Sequence, residues 1–359
     1  MKPLTCIVVL NWNGAEETIA CLESLVEVMS PDCRVLVVDN GSTDGSPEKI
    51  RKAFPALEQL CLPANLGYAG GNNAGFRLVQ ELQAEFVIFL NNDTIVDAGF
   101  FAPLVETLLL QPLAGMAAPK IFYWNRPDVL WYAGGVVKLS TGLICHVGLR
   151  QKDAPEFDRP GSTDYATGCC FAMRCRDFEA VGGFDESFAM YAEDVELSLR
   201  VRALGKSIEY VPSSRVWHKV SASLTGRPFL KLVKKSLGAL RLFSKQRAWS
   251  GMALYLLLLP LRLSGTLLKQ WFAGEELCRI VAERFLMKHI STIRLTGFAG
   301  KEPSNFCKAR HILLHDFSAD LTWESAPPLS HCWSSILAVL SRTRPLILIV
   351  NHLQALSEW

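Results

Sequence analysis

Over the first ninety residues, short unbroken apolar runs alternate with stretches whose apolar residues recur at helical spacing. Residues 5–10 form one such run, 15–28 carry Ile19, Leu22, Leu25 and Val26 on one helical face, and 34–38, apolar after Arg34, read as a second strand. Runs apolar on both faces are what strands covered on both sides require. Strand, helix, strand in this order predicts a parallel pair. A helix near 46–53, a strand near 57–61, a helix from 70 to 82 and a strand at 86–90 repeat the unit. The fold class expected is therefore α/β, a layered and mostly parallel sheet with right-handed crossovers.

Polar residues gather where these strands end. Asn11-Trp12-Asn13-Gly14 leaves the first strand, Asp39 opens the long polar turn to Ser46, and Asn91-Asn92-Asp93 ends the strand at 86–90. In an open α/β sheet ligands bind outside the carboxyl ends of the strands, so these groups share one rim and can reach one molecule. Asn65-Leu66-Gly67 precedes another helix, and a helix N-terminus beside glycines suits a phosphate. Any one of these loops reads equally well as an ordinary turn or cap. Their recurrence at several strand ends is what points to a ligand.

Composition and charge then narrow the class. The chain has 359 residues, half of them apolar, enough for one large domain or a medium domain with an extension. Eleven cysteines, an odd number without a C-x-x-C pair, predict reduced thiols and a cytosolic setting. The opening apolar run is too short for a signal peptide. Net charge is only +2, yet eleven basic residues and no acidic one fall between Tyr210 and Gly274, which leaves the rest of the chain net acidic.

Within that basic stretch Phe229, Val233, Leu237 and Leu240 recur at helical spacing, with Lys231, Lys234, Lys235, Arg241 and Lys245 read as the opposite side. Residues 252–268 follow, strongly apolar but short of the roughly 20 residues a span needs and interrupted by Pro260 and Arg262. The expectation is a helical extension lying on an anionic membrane surface; packing of these helices on the core or on a second subunit is the alternative. A nucleic-acid partner is not expected, because the basic helix adjoins a greasy one and no aromatic platform. Residues 288–359 have no spacing that fixes a site, and nothing fixes an oligomeric state.

Taken together and in order, V-V-L-N-W-N-G at 8–14, V-V-D-N-G-S-T-D-G-S at 37–46, N-L-G-Y-A-G-G-N-N-A-G at 65–75, F-L-N-N-D at 89–93, G-G-F-D-E at 182–186, Y-A-E-D-V-E-L-S-L-R at 191–200 and V-W-H at 216–218 resemble one family. It is glycosyltransferase family 2, inverting enzymes of the GT-A fold, and within it the bacterial rhamnosyltransferase-like branch. The resemblance covers about residues 4–225 and implies a Rossmann-like α/β/α domain at 1–225. A basic and apolar membrane-associating segment at 226–287 and an unassigned tail at 288–359 complete the expected organisation.

The resemblance also implies roles. Asp39 holds the base or ribose of a nucleotide-diphospho-sugar donor, with Asn11 and Asn13 beside it, and Asn65, Gly67, Asn91 and Asn92 complete the donor side. Asp93 matches the last acid of the family's D-x-D motif and would ligate Mg²⁺ or Mn²⁺, with His218 as a further ligand. Here the chain departs from the pattern, since Asn91 stands at the first acidic position and implies weaker metal affinity. Asp194 corresponds to the catalytic base, Glu193 to its support, and Asp185 is a candidate acceptor contact. A free Asp titrates near about 4, so the base is expected to be ionised at neutral pH without tuning. The implied donor is dTDP-rhamnose, a UDP-sugar being the alternative with the same residues. The acceptor would be a hydroxyl of a lipid-linked or nascent cell-surface glycan at the cytoplasmic face of the cell membrane. Asn91 also motivates a competing reading, a nucleotide-sugar-binding protein of a glycan-assembly complex that has lost transfer. A sugar-nucleotide pyrophosphorylase would need a basic, glycine-rich loop directly after the first strand, which Asn11-Trp12-Asn13-Gly14 does not supply.

Overall fold

A computed structural model of the chain describes residues 4–28, 31–188, 190–220 and 228–260. Expectations for residues 261–287 and for the tail at 288–359 lie outside the described residues.

The alternation read from the sequence is present as β1 (Thr5–Asn11), α1 (Ala15–Val26), β2 (Cys33–Asp39), α2 (Ser46–Ala53), β3 (Glu58–Cys61), α3 (Gly67–Glu81) and β4 (Phe86–Asn91). The chain continues through β5 (Thr94–Val96), α4 (Phe101–Leu110), β6 (Ala114–Tyr123), β7 (Arg126–Tyr132), the hairpin β8 (Gly135–Lys138) and β9 (Leu143–His146), and β10 (Gly161–Ser162). It ends its sheet with β11 (Cys170–Arg174), α5 (Cys175–Ala180), α6 (Glu193–Ala203) and β12 (Ser207–His218), followed by α7 (Pro228–Lys245) and helical residues 249–260.

The main sheet has ten strands in the order β3-β2-β1-β4-β11-β6-β12-β10, with β5 on β12 and β7 on β6. β3, β2, β1 and β4 are mutually parallel, and β12 is parallel to β6. β11 is inserted antiparallel between β4 and β6. That insertion positions the site: β11 starts where β4 ends, so Cys170 lies opposite Leu90 and the Asn91 N–H donates to the Cys169 carbonyl at 2.9 Å. β5 then carries the chain to the far end of β12, pairing Thr94 with His218.

Burial explains the continuous runs. Ile7, Val8 and Val9 of β1, Val37 and Val38 of β2 and Val87, Ile88 and Phe89 of β4 are all at most 1% exposed. α3 starts three residues before the expected position, inside a glycine-rich run where propensity alone argues for a loop. Close packing is the reason. A Cβ on Gly75 would stand 2.7 Å from Val38 Cγ2 and 2.9 Å from Val8 Cγ1, and one on Gly71 would stand 2.5 Å from Leu10 Cδ1. Gly75→Val should therefore lower unfolding free energy by about 1–3 kcal/mol, read as a shift in denaturant midpoint.

α7 corrects one expectation. Its buried stripe is Leu232, Lys235, Ser236, Ala239, Leu242 and Phe243, while Leu237 is 62% exposed and Lys235 only 6%. Leu237 therefore faces outward, and the expectation that set Lys235 on the polar side does not hold, because the docked face is held by polar clasps as well as apolar contact. Lys245 donates to Asp185 and Glu196, each at 2.6 Å, and Arg241 Nε donates to Ser187 Oγ at 3.0 Å. Gly238 lets the helix lie against the Tyr191 carbonyl, a place a Cβ would fill. Among the described residues no helix is long and apolar enough to cross a membrane. The eight described cysteines are free.

Candidate active site

Register brings the first cluster together, since the ends of β1 and β2 pair Asn11 with Asp39. Asn11 Nδ2 donates to Asp39 Oδ2 at 2.7 Å, and the other carboxylate oxygen accepts the Ser42 N–H at 2.9 Å. Asn13, in the left-handed region at φ +50°, latches the two loops: its N–H donates to Ser42 Oγ and its Oδ1 accepts the Thr43 N–H at 2.8 Å. Gly41, at φ +70°, passes so close to Ala64 that a Cβ would clash with its backbone. Asp39 is 1% exposed, so in this structure its carboxylate fixes the rim from below.

Asn65 Oδ1 accepts the Gly67 N–H at 2.8 Å and the Asn40 amide at 3.1 Å, while Asn40 Oδ1 accepts the Leu66 N–H. The turn into α3 is thus fastened to the end of β2. Asn92 turns its amide toward Thr18 Oγ1 at 2.9 Å and Asn11 Oδ1 at 3.5 Å, joining the β4 end to the β1 end. Asn91 contributes its carbonyl to Thr94 Oγ1 at 2.6 Å and leaves a half-buried side chain on the rim.

Asp93 and His218 meet, as required of two ligands to one ion. His218 Nε2 lies 3.1 Å from Asp93 Oδ1, with the two side chains 7% and 14% exposed. Burial pulls the Asp93 carboxyl up, but the charge of His218 and its hydrogen bond outweigh that and leave it below the ordinary carboxylate value. The Trp131 edge packs on the His218 ring at 4.5 Å, and His218 Nδ1 is buried without a hydrogen-bond partner. Among the described residues no group of three or more His, Cys, Asp or Glu side chains is arranged to hold a metal. A carboxylate and an imidazole nevertheless fit a divalent ion whose remaining positions are filled by substrate phosphates and water.

Asp194 stands in the first turn of α6 behind two consecutive left-handed residues, Tyr191 and Ala192, both at φ +70°. Its Oδ2 accepts the Gly168 N–H at 2.8 Å and its Oδ1 accepts the Val195 N–H. Gly168 also gives its carbonyl to Tyr68 Oη at 2.6 Å. Since Cys169 is bonded to Asn91, Asp194 and the Asp93 turn are linked through three consecutive backbone units across the β11–β4 junction. The expectation of an untuned base does not hold. Burial raises the Asp194 carboxyl despite those two backbone N–H groups, and burial together with Asp194 pushes Glu193 up to about 8. Glu193 Oε2 is buried without a hydrogen-bond partner.

That shift has a stability consequence with a definite sign. Between the unfolded value near about 4.3 and the folded one, the native state holds a proton the unfolded state has lost, so stability falls as pH rises through this window. Glu193→Gln should remove the fall and stabilise the protein at pH 8 by on the order of 2 kcal/mol, measured by urea unfolding at pH 5 and pH 8.

Asp185 is drawn elsewhere: its carboxylate holds Lys245 and the Ser187 N–H, and although burial works against it these bonds lower its pKa. Two groups that pattern reading placed outside the site belong near it. Lys235 lies over the Tyr191 ring at 5.6 Å, and Lys231 and Lys235 feel the charges of Asp93 and Asp194 respectively. The signal was available, because Leu232, Lys235, Ser236, Ala239, Leu242 and Phe243 also recur at helical spacing. His146, whose Nδ1 faces the Trp131 carbonyl at 3.0 Å, is kept neutral by burial, which pulls it down to about 3.

A rim of this kind, with a carboxylate–imidazole pair and a helix-borne acid at the carboxyl ends of a mixed α/β sheet, fits a sugar transferase of the GT-A fold. A mannosyltransferase from Pyrobaculum calidifontis, solved with GDP-Man and Mn²⁺, superposes with a TM-score of 0.51 at 18% identity, covering 88% of this chain and 81% of that one. In sequence, residues 6–182 match Glycosyl transferase family 2. The N-acetylglucosaminyl-diphospho-decaprenol L-rhamnosyltransferase of Mycobacterium tuberculosis is 30% identical over 249 residues, 63% of this chain and 79% of that protein. The O-antigen biosynthesis protein RfbC of Myxococcus xanthus is 30% identical over 208 residues, 55% of this chain and 16% of that protein. The chain belongs to glycosyltransferase family 2 and is a glycosyltransferase, rhamnosyltransferase-like in sequence.

Proposed function

We propose that this enzyme transfers rhamnose from dTDP-rhamnose, with inversion, to a hydroxyl of a lipid-linked or nascent cell-surface glycan at the cytoplasmic face of the membrane. The observation that carries this reading is the linkage of Asp194 through Gly168 and Cys169 to the Asp93 turn. It puts an acid with a raised pKa and a carboxylate–imidazole pair at one rim.

Asp194 accepts the proton of the attacking hydroxyl, and its raised pKa makes it a better base than a solvent-exposed Asp at neutral pH. Gly168 and Val195 hold its two oxygens, fixing the direction from which the acceptor is deprotonated. Attack opposite the leaving diphosphate requires no covalent intermediate and inverts the anomeric centre. The Asn11–Asp39–Ser42 lattice orients the nucleotide, and α3 offers N–H groups of its first turn to phosphate. Asp93 and His218 would hold Mg²⁺ or Mn²⁺, which as Lewis acid would stabilise the leaving diphosphate. Rhamnose and a lipid-linked acceptor are supported by the 30% identical relative, whose name states both.

Contact with an anionic membrane is supported by the outward faces of the last two helices. Leu237, Trp249, Leu256 and Leu257 are 62%, 57%, 45% and 72% exposed, with Arg247 exposed as well. Lys235 is buried and does not serve this face. Leu237→Glu with Leu257→Glu should abolish sedimentation with vesicles of phosphatidylglycerol, and full sedimentation of the double variant would remove the membrane from the reading.

Function is tested by incubating the protein with dTDP-rhamnose or UDP-sugars, Mn²⁺ and a diphosphate-linked N-acetylglucosaminyl lipid, followed by NMR of the product's anomeric configuration. An inverted rhamnoside is expected. Transfer from a UDP-sugar alone would replace the donor, and a retained configuration would overturn the mechanism.

A further inference from the structure

We propose that α7 braces the turn that carries the base, with Lys245 and Gly238 as positioning residues that hold Asp194 in place for proton transfer. The inference rests on the reading of Asp194 as base and deepens it by naming what outside the sheet fixes that carboxylate.

The segment that needs holding is residues 184–196. Tyr191 and Ala192 are both in the left-handed region at φ +70°, which residues with a Cβ seldom enter. Such backbone persists only where its surroundings over-determine it, and here two residues in succession adopt it directly before Glu193 and Asp194. At the start of the segment α3 supplies one hold. Asn73 Nδ2 donates to the Phe184 carbonyl and Asn73 Oδ1 accepts the Phe184 N–H, each at 2.9 Å.

The rest of the hold comes from α7, which grips the segment before, at and after the strained turn. Before it, Lys245 Nζ donates to Asp185 Oδ2 at 2.6 Å, Arg241 Nε donates to Ser187 Oγ at 3.0 Å, and the Arg241 guanidinium lies 5.6 Å from the centre of the buried Phe188 ring. At the turn, Gly238 faces the Tyr191 carbonyl so closely that a Cβ would collide with it. After it, the same Lys245 reaches Glu196 Oε1 at 2.6 Å. Glu196 is fully buried, its N–H donates to the Ala192 carbonyl at 2.9 Å, and Arg200 holds its carboxylate through Nε and Nη2.

One ammonium therefore ties Asp185, ahead of the turn, to the residue whose backbone closes it. A lysine at a helix C-terminus can bond the last carbonyls of its own helix, but Lys245 reaches across the fold to two carboxylates instead. What depends on the brace is Asp194. Its Oδ2 accepts the Gly168 N–H at 2.8 Å, the bond that sets it beside the Asp93 turn. Released from α7, the left-handed pair relaxes toward ordinary backbone and Asp194 leaves Gly168.

The test is amide hydrogen exchange, read residue by residue by NMR on the full chain. Gly168 and Val195, whose N–H groups donate to the Asp194 carboxylate, should exchange about tenfold faster in Lys245→Met, and Val8 and Ile88 of the central strands by less than about twofold. Lys245→Arg should return both protected amides to wild-type rates. In turnover, Lys245→Met should lower kcat by about tenfold with donor affinity within about twofold, and should cost nothing further in an Asp194→Asn background.

Equal acceleration at Gly168 and Val8 would reduce Lys245 to a general stabiliser and overturn the brace, as would losses of kcat that multiply in the double variant. Should Lys245→Met fail to fold by its melting curve, Gly238→Ala, expected to give the same local acceleration, carries the decision. Exchange needs no turnover, so local loss of protection in a protein that transfers no sugar sinks the proposed function and leaves the brace standing. Sugar transfer by wild type with unchanged Gly168 exchange in both variants sinks only the brace.

Discussion

Asp194→Asn should lower kcat for sugar transfer by about 10²–10⁴-fold, the contribution typical of a positioned general base. Donor affinity should change by less than about threefold, because the substitution keeps the shape and leaves an oxygen to accept the Gly168 N–H. This split between turnover and binding separates a base from a structural cap. A helix-capping role would move the melting temperature and leave kcat nearly intact. The pH profile adds a second reading of the same residue. With its pKa raised by burial, the acid limb of kcat should lie nearer neutrality than that of a free Asp, and activity should rise with pH along it. Turnover within threefold of wild type in Asp194→Asn, about half a kcal/mol of barrier, would remove Asp194 from the chemistry.

Asp93→Ala should act on binding instead. On the proposed site, removing the carboxylate would leave His218 as the one described protein ligand for the ion, and donor affinity in Mn²⁺ should fall by on the order of 10–100-fold. With chelator present, wild type and variant should bind donor alike. If Asp93 holds the ion as proposed, the neutral Asn91 beside it would leave Asp93 with more of the metal affinity than in a site with two carboxylates. Asn91→Asp should accordingly tighten Mn²⁺ binding, checked in the same titration.

The parts of the site that were legible from sequence are those carried by short contiguous segments. Asp39, Asn91, Asn92 and Asp93 end continuous apolar runs, and a parallel sheet places such ends on one rim without any knowledge of long-range contacts. α1 was legible because Leu22 and Leu25 of its apolar stripe fall on the buried face. α3 was displaced at its start because Gly70 and Gly71 signal a loop, whereas here the small size of Gly71 lets the helix approach Leu10.

What was not legible depended on non-local geometry. The antiparallel entry of β11 between β4 and β6 has no local signature, since Cys170–Arg174 is an ordinary apolar run, yet it joins Asp194 to the Asp93 turn. The raised pKa of Glu193 and Asp194 follows from burial that a count of helix-terminal acids does not reveal. The face of α7 was misread because its stripe admits Lys235 and Ser236, and a pattern search that counts only apolar residues rejects such a stripe.

A nucleotide-sugar site at the rim formed by Asn11, Asp39, Asp93 and His218 would bind its donor through a metal held by Asp93. Calorimetric titration of dTDP-rhamnose into wild type and Asp93→Ala, each with Mn²⁺ and with chelator, tests it most directly. Wild type should show saturable binding that is strengthened by Mn²⁺, with the strengthening lost in Asp93→Ala. Equal Mn²⁺ enhancement in both proteins, or no binding of this donor or of any UDP-sugar to wild type, would contradict it.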